Sequence, residues 1–191
     1  VGDLIFDFGA PVAETTFRRE IRLDEGCVSA RGQRNGNVVV SKAFCSYADQ
    51  VMVLNYQAES SSGLSGKILF ATQRESDRIF VEGNTIRLEC PIANGMKCVA
   101  QAIVHPQGGI LKAGEKHLLL EGAESCTILL GIETNYEMDF QKGFRGESPE
   151  SRIAQRMDKV KELSFAELQA RHLADYEKLY KRQRVSLGTS V

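Results

Sequence analysis

The chain has 191 residues, of which 42% are hydrophobic, and its 24 Lys and Arg side chains nearly balance 25 Asp and Glu side chains. At this length we expect one well-buried core, and therefore one domain with an appendage. A formal charge of −1 gives no overall field that would attract nucleic acid or anionic lipid, so no nucleic-acid partner is predicted. The longest apolar run, residues 127–132, is far shorter than the roughly 20 residues that cross a bilayer, so no membrane span is predicted.

The first two thirds of the sequence consist of short runs rich in Val, Ile, Leu, Phe and Tyr, separated by turn signals such as Asn94-Gly95. No helical pattern alternates with these runs, and their spacing is typical of antiparallel sandwiches. We predict about ten strands in an antiparallel β-sandwich domain over residues 1–134. The predicted strands are residues 4–8, 15–24, 37–45, 50–59, 64–71, 85–91, 97–105, 116–120 and 125–133.

Two linker helices are predicted after the sandwich, at about residues 149–161 and 165–182. The first begins with proline at its first helical position, Pro149. The second begins at a capping box, in which Ser164 and Glu167 satisfy each other's backbone amides.

The second helix has an apolar and aromatic face that we expect to pack on the sandwich. After it, Val185 and Leu187 alternate with polar residues, which predicts a short final strand at residues 184–187. Residues 135–191 are therefore assigned to linker helices plus this strand. The helix face comprises Phe165, Leu168, His172, Tyr176, Leu179 and Tyr180.

Five cysteines are present without any Cys-x-x-Cys pair, and we interpret them mainly as small core residues. Cys90 and Cys98 flank a predicted hairpin turn, which would bring them opposite each other on adjacent strands. A disulfide between them is the alternative. The cysteines are Cys27, Cys45, Cys90, Cys98 and Cys126.

The three histidines, His105, His117 and His172, have no clustered Cys or His neighbours in sequence, so no metal site and no cofactor are predicted. His172 is followed at helical spacing by Asp175 and Tyr176, and we expect this group to fix the helix on the sandwich.

No catalytic residue is predicted. The nucleophile elbow and the glycine-rich phosphate loops are absent from the sequence. Glycoside hydrolysis needs two carboxyl groups roughly 5–10 Å apart, but nothing in the sequence selects a pair among Asp49, Asp77, Glu82 and Glu133. Each is interpreted as a solvated turn residue. The chain has no Trp, which lowers the expectation of a stand-alone sugar-binding module.

Several segments, in order, resemble the amino-terminal β-domain of glycoside hydrolase family 95. They are VGDLIFDFG at 1–9, RREIRLD at 18–24, KAFCSYADQVMV at 42–53, EGAESCTILL at 121–130 followed by TNY, and HLADYEKLYKRQRVSLG at 172–188. The resemblance implies a β-sandwich of the supersandwich type. It also implies an inverting α-L-fucosidase or α-L-galactosidase as the parent enzyme, and it favours an extracytoplasmic location.

In the resembled family an (α/α)₆ barrel follows the β-domain and carries the catalytic groups, so no catalytic residue is transferred to this chain. We therefore expect a non-catalytic amino-terminal domain that braces the barrel and is inactive alone. Its partners would be the barrel of the same polypeptide and the oligosaccharide substrate of the parent enzyme. The alternative is a carbohydrate-binding or interaction module that works without catalysis. An active hydrolase within these residues is the third and least favoured reading.

Overall fold

A computed structural model describes residues 2–9, 17–34, 37–183, 185 and 188. Within these residues the chain forms twelve strands followed by two helices, and all strand pairs are antiparallel. The strands are β1 (Asp3–Asp7), β2 (Arg18–Arg22), β3 (Cys27–Arg34), β4 (Asn37–Ser46), β5 (Val51–Ala58), β6 (Leu64–Ala71), β7 (Arg78–Glu82), β8 (Thr85–Pro91), β9 (Lys97–Gln107), β10 (Ile110–Ala113), β11 (His117–Ala123) and β12 (Ser125–Thr134). The helices are α1 (Pro149–Val160) and α2 (Phe165–Tyr180).

The strands form two sheets of unequal width. The narrow sheet has the order β1-β6-β11-β10, and the wide sheet has the order β2-β3-β4-β5-β12-β9-β8-β7. Leu64, Ile68, Leu118 and Ile128 are among the residues whose side chains fill the space between the sheets. The predicted antiparallel β-sandwich is therefore confirmed.

The helices form a third layer on the outer face of the wide sheet. A second core, which includes Val53, Leu129, Met157 and Leu168, lies between this face and the helices. α1 packs against β12 and β9, and α2 packs against β4 and β5. Gly131 permits the close approach of α1, because a Cβ atom there would lie 2.8 Å from the Met157 sulfur atom.

Some sequence predictions need correction. The predicted strand at 15–24 is shorter, since only Arg18–Arg22 is extended and residues 15 and 16 lie outside the described part. Three strands were missed: Cys27–Arg34, Arg78–Glu82 and Ile110–Ala113. The first two strands contain several polar or charged residues, and the third has only four residues. The alternation of apolar and polar residues that predicts a strand is therefore weak in all three.

The end of the second helix also differs from expectation. Leu179 does not pack on the sandwich, because 64% of its surface is exposed. The predicted final strand at 184–187 falls mainly on residues outside the described part, and Val185, which is described, is not in a strand. The capping box of Ser164 and Glu167 is present as predicted, with the Glu167 amide donating to Ser164 Oγ over 3.2 Å.

Candidate functional site

The segment between β12 and α1, residues 135–147, is an ordered loop attached to the β8–β9 hairpin. Asn135 is buried, and both the oxygen and the nitrogen of its side-chain amide form hydrogen bonds to the β8–β9 hairpin. Its Oδ1 atom accepts a hydrogen bond of 2.7 Å from the Lys97 amide, and its Nδ2 atom donates over 3.2 Å to the Gly95 carbonyl. The Gly146 amide closes the loop by donating to the Asn135 carbonyl over 2.8 Å.

The tip of this loop is held by a second set of hydrogen bonds. The Phe144 amide donates to the Asp139 carbonyl over 2.8 Å, and the Gln141 amide donates to Asp139 Oδ1 over 2.9 Å. Phe144 has a φ of +61°, in the left-handed region that costs a residue with a Cβ atom about 1–3 kcal/mol. The loop's hydrogen bonds therefore enforce an unfavourable backbone conformation at an aromatic residue.

The loop presents apolar side chains to solvent. Tyr136 and Phe144 lie parallel with ring centroids 6.3 Å apart, and Phe140 meets Phe144 edge to face at 6.0 Å. Met138 and Phe140 are 82% and 83% exposed, so these two side chains contribute little to the packing of the loop itself. Contiguous exposed apolar groups of this kind mark interaction surfaces.

Further apolar side chains are exposed at the same end of the sandwich. β4 ends and β5 begins here, and the turn between them exposes Tyr47. Met52 on β5 and Ile132 on β12 share the inner face with the buried Ile128, but they remain 39% and 53% exposed. We call this set the apolar rim: Tyr47, Met52, Ile132, Tyr136, Met138, Phe140 and Phe144.

Two of the four candidate acids fix the helices on the wide sheet. Glu133 is buried and forms ion pairs with Arg152, at 3.0 Å, and with Arg156 on α1. Asp49 is buried in the β4–β5 turn and pairs with Arg171 of α2 at 2.6 Å. The interpretation of these two acids as solvated turn residues is therefore wrong, since both are buried and Glu133 lies within β12. Their carboxylates neutralise arginines at the boundary between the wide sheet and the helices.

The other two candidate acids lie next to and within β7, at the edge of the wide sheet. The side chain of Asp77 is buried, and it accepts hydrogen bonds from Thr72 Oγ1, at 2.5 Å, and from the Cys90 thiol, at 3.4 Å. Glu82 ends the edge strand β7 and is exposed.

His172 and Tyr176 attach α2 to the loop between β2 and β3. His172 Nε2 lies 3.0 Å from the Glu25 carbonyl, and the Tyr176 hydroxyl donates to the Leu23 carbonyl over 2.6 Å. The His172 ring stacks on Phe44 at 4.7 Å. The structure therefore places these two residues as anchors of the helix.

The remaining histidines lie on separate strands. His117 begins β11 in the narrow sheet, and His105 lies near the end of β9 in the wide sheet. Burial lowers the pKa of His105, with Glu162 acting weakly in the opposite direction. Among the residues that the structure describes, no three His, Cys, Asp or Glu side chains come together as metal ligands.

Cys90 and Cys98 are direct partners across β8 and β9, as the hairpin predicted. Both are free thiols here, as are Cys27, Cys45 and Cys126. Burial, followed by the Asp77 carboxylate, raises the pKa of Cys90 to about 11. No helix in the described part is long and apolar enough to cross a membrane.

The sequence match, together with the fold, shows which family of protein domains this chain belongs to. A family model described as glycosyl hydrolase family 65, N-terminal domain, matches residues 1–139. The chain therefore belongs to this family of amino-terminal domains of glycoside hydrolases.

Individual relatives make the comparison more specific. The chain is 26% identical to "Alpha-L-fucosidase 2" of Arabidopsis thaliana, in an alignment that covers 100% of this chain and 26% of that protein. It is 23% identical to "Probable alpha-fucosidase A" of Aspergillus niger, covering 98% of this chain and 25% of that protein. The chain thus spans about a quarter of the length of these curated relatives. They agree with the α-L-fucosidase-like resemblance found in the sequence.

A solved structure supports the fold. A protein named as a kojibiose phosphorylase from the human microbiome superposes on 90% of this chain with a TM-score of 0.59, at 11% sequence identity. The matched region is 25% of that protein.

The apolar rim was not predicted from the sequence, in which residues 135–147 were assigned only as part of the linker at 135–191. A signal was present: Tyr136, Met138, Phe140 and Phe144 are four large apolar residues within nine positions of an otherwise polar segment.

Proposed function

We propose that this chain is the non-catalytic amino-terminal domain of an inverting α-L-fucosidase-like glycoside hydrolase of family 95, and that its apolar rim docks on the (α/α)₆ catalytic barrel of the same polypeptide. The observation that carries this proposal is the loop of residues 135–147, which displays highly exposed Met138 and Phe140 on a hydrogen-bonded scaffold. The relatives support it, because most of their length lies beyond the part that this chain matches.

The physical basis is the area that docking would remove from water. Burial of a large apolar side chain contributes about 1.5–3 kcal/mol. Because the loop is already ordered by its own hydrogen bonds, little backbone entropy would be lost on docking. A rim of seven apolar side chains can therefore stabilise a domain interface.

The described carboxyl groups are also consistent with a supporting role. Inverting hydrolysis needs an acid and a base on opposite sides of the scissile bond, roughly 6.5–9.5 Å apart. Asp49 and Glu133 instead neutralise arginines of α1 and α2. The proposal therefore assigns the catalytic pair to the barrel.

The test uses a Met138→Ser/Phe140→Ser variant, made both in this chain and in the protein encoded by the complete gene. Both side chains are more than four-fifths exposed, so we expect the melting temperature of the chain alone to stay the same. In the complete protein we expect a fall of several degrees, because the variant removes about 2–4 kcal/mol of interface burial.

The matched control is Ile110→Ser on the narrow sheet, which removes an apolar side chain that is 56% exposed and outside the rim. It should leave both melting temperatures unchanged. Equal stability of the rim variant and the wild type in the complete protein would overturn the docking role. A complete gene that encodes no barrel would overturn the proposal as a whole.

A further inference from the structure

A concave surface lies at the end of the wide sheet opposite the apolar rim, on the face that packs against the helices. Here β5, β12 and β9 are neighbours, and their side chains form two polar rows that cross all three strands. The first row is Asn55, Thr127 and His105, and the second is Gln57, Ser125 and Gln107. We call this surface the polar groove.

The connection between the two helices forms one wall of the polar groove. Leu163, Ser164, Phe165 and Ala166 face the polar rows across a cavity of about 650 Å³. Pockets that bind small organic ligands have volumes of about 300–1,000 Å³. The cavity is therefore large enough for one or two sugar rings.

The polar rows are not simply the solvated face of a sheet. Asn55 is only 6% exposed, and its Nδ2 atom donates to Thr127 Oγ1 over 2.9 Å. His105 Nε2 is buried and has no hydrogen-bond partner among the residues that the structure describes. A buried polar atom without a partner costs about 1–3 kcal/mol, so this nitrogen favours a ligand that can hydrogen-bond to it.

The groove carries no formal charge, because its lining includes no Lys, Arg, Asp or Glu. Burial lowers the pKa of His105, which favours the neutral imidazole near pH 7. The amides of Asn55, Gln57 and Gln107 offer both donors and acceptors, and sugar hydroxyls need both. The Phe165 ring in the wall adds an apolar surface of the kind that packs against the C–H groups of a sugar.

We propose that the polar groove binds a neutral saccharide through the Asn55–Thr127–His105 and Gln57–Ser125–Gln107 rows. This site goes beyond the proposed docking function, since it shares no residue with the apolar rim. It would hold a glycan on the amino-terminal domain away from any catalytic centre.

The test is a titration of the ¹⁵N-labelled chain, followed by NMR, with 2′-fucosyllactose, lactose and maltotriose as neutral probes and galacturonate as a charged one. With at least one neutral probe, the side-chain amide signals of Gln57 and Gln107 and the imidazole nitrogens of His105 should shift and saturate. A dissociation constant of millimolar order is expected for such a shallow site, corresponding to about −4 kcal/mol. Galacturonate should bind more weakly, because its carboxylate would be desolvated without a cationic partner.

The variant is Gln57→Ala/Gln107→Ala, in which both replaced side chains are exposed, so the fold should be retained. Affinity should fall about tenfold or more as two hydrogen bonds are lost. Gln141→Ala is the control, because it removes an exposed glutamine side chain from the loop near the apolar rim. It should leave the titration unchanged.

Three outcomes would overturn the proposal. These are no saturable shift with any neutral probe, shifts centred outside the groove, and a Gln57→Ala/Gln107→Ala variant that binds as well as the wild type. None of these outcomes bears on the apolar rim, whose test is the stability of the complete protein.

Discussion

The two ends of the wide sheet are built from the same strands but present opposite chemistry. At one end β5 and β12 carry the exposed Met52 and Ile132 on the inner face, beside an aromatic loop. At the other end the same strands carry Asn55 and Thr127 on the outer face, in a neutral polar groove. The comparison shows that alternation along a strand determines only which face of the sheet a side chain lies on. Whether that side chain is buried depends on the sheet or helix that packs against the face. Exposed apolar groups suit a protein partner, and a groove lined by amide and hydroxyl groups suits a hydroxylated ligand.

The largest expected effect concerns thiol reactivity, which distinguishes the two ends. Cys45 is exposed and lies opposite Met52, whereas Cys126 is buried at the start of β12. Burial raises the pKa of Cys126 to about 12 from an ordinary value of 9.0. Because the thiolate is suppressed and reagent can reach the buried sulfur only when the packing opens, Cys126 should react at least about 1000-fold more slowly than Cys45. Timed alkylation with mass spectrometry measures both rates.

A Cys45→Ser variant is the control, since it should remove the fast-reacting site alone. In denaturant without a reductant all five thiols should titrate. A count of three would instead show one disulfide, and peptide mapping would test whether it joins the cross-strand partners Cys90 and Cys98. Fast labelling of Cys126 in the native chain would contradict the burial of its side chain in the core between the two sheets.

The next largest effect is expected on stability, from a substitution in the helix layer on the outer face of the wide sheet. Leu168 is fully buried between α2 and the wide sheet, so Leu168→Ala should lower the free energy of unfolding by about 3 kcal/mol. Leu179→Ala removes the same atoms from an exposed position on the same helix and should cost less than about 0.5 kcal/mol. Urea denaturation measures both. Equal losses would mean that α2 is not docked as described.

The smallest effect is a pH dependence at the α2 attachment. The Lys42 ammonium, which donates to Glu25 over 2.7 Å, holds the pKa of that carboxyl below its ordinary value of 4.5, and burial opposes this only in part. Because the folded-state pKa is lowered, Glu25 stabilises the fold above about pH 4.5 and loses this contribution as the pH falls through the lowered value. The contribution should be less than about 1 kcal/mol for a partly exposed pair.

The measurement is urea denaturation of wild type and Glu25→Gln from pH 6 down to about pH 3. The wild type should lose its advantage over the variant as Glu25 is protonated. Glu59→Gln, which removes an exposed partner of Arg31, is the control and should differ little from the wild type at any pH. An advantage that grows as the pH falls would contradict the ion pair.

Much of the fold was predictable because its signals are local. Alternation identified β6 and β8 with their observed bounds, and the proline at 149 and the capping box at 164 located the starts of both helices. β3 was missed because Gly32 and its polar neighbours interrupt the alternation. Such interruptions remove the periodic signal without preventing backbone pairing.

The candidate surfaces depend on contacts between distant parts of the chain. The pairing of Thr127 with both Asn55 and His105 aligns three segments separated by dozens of residues. No local pattern specifies that register. The exposure of Ile132 could not be predicted either, because it depends on how the two sheets pack against each other and not on the local sequence.

Hydrogen–deuterium exchange offers the most direct test of the docking account, with this chain and the protein from the complete gene compared under identical conditions. The account predicts slower exchange in the complete protein for amides of residues 135–147 and of the β4–β5 turn, because a docked barrel would cover the apolar rim. Amides at the polar groove, including those of Gln57 and Gln107, should exchange at the same rate in both. Unchanged exchange at the rim, in a complete protein with a folded barrel, would contradict the central claim.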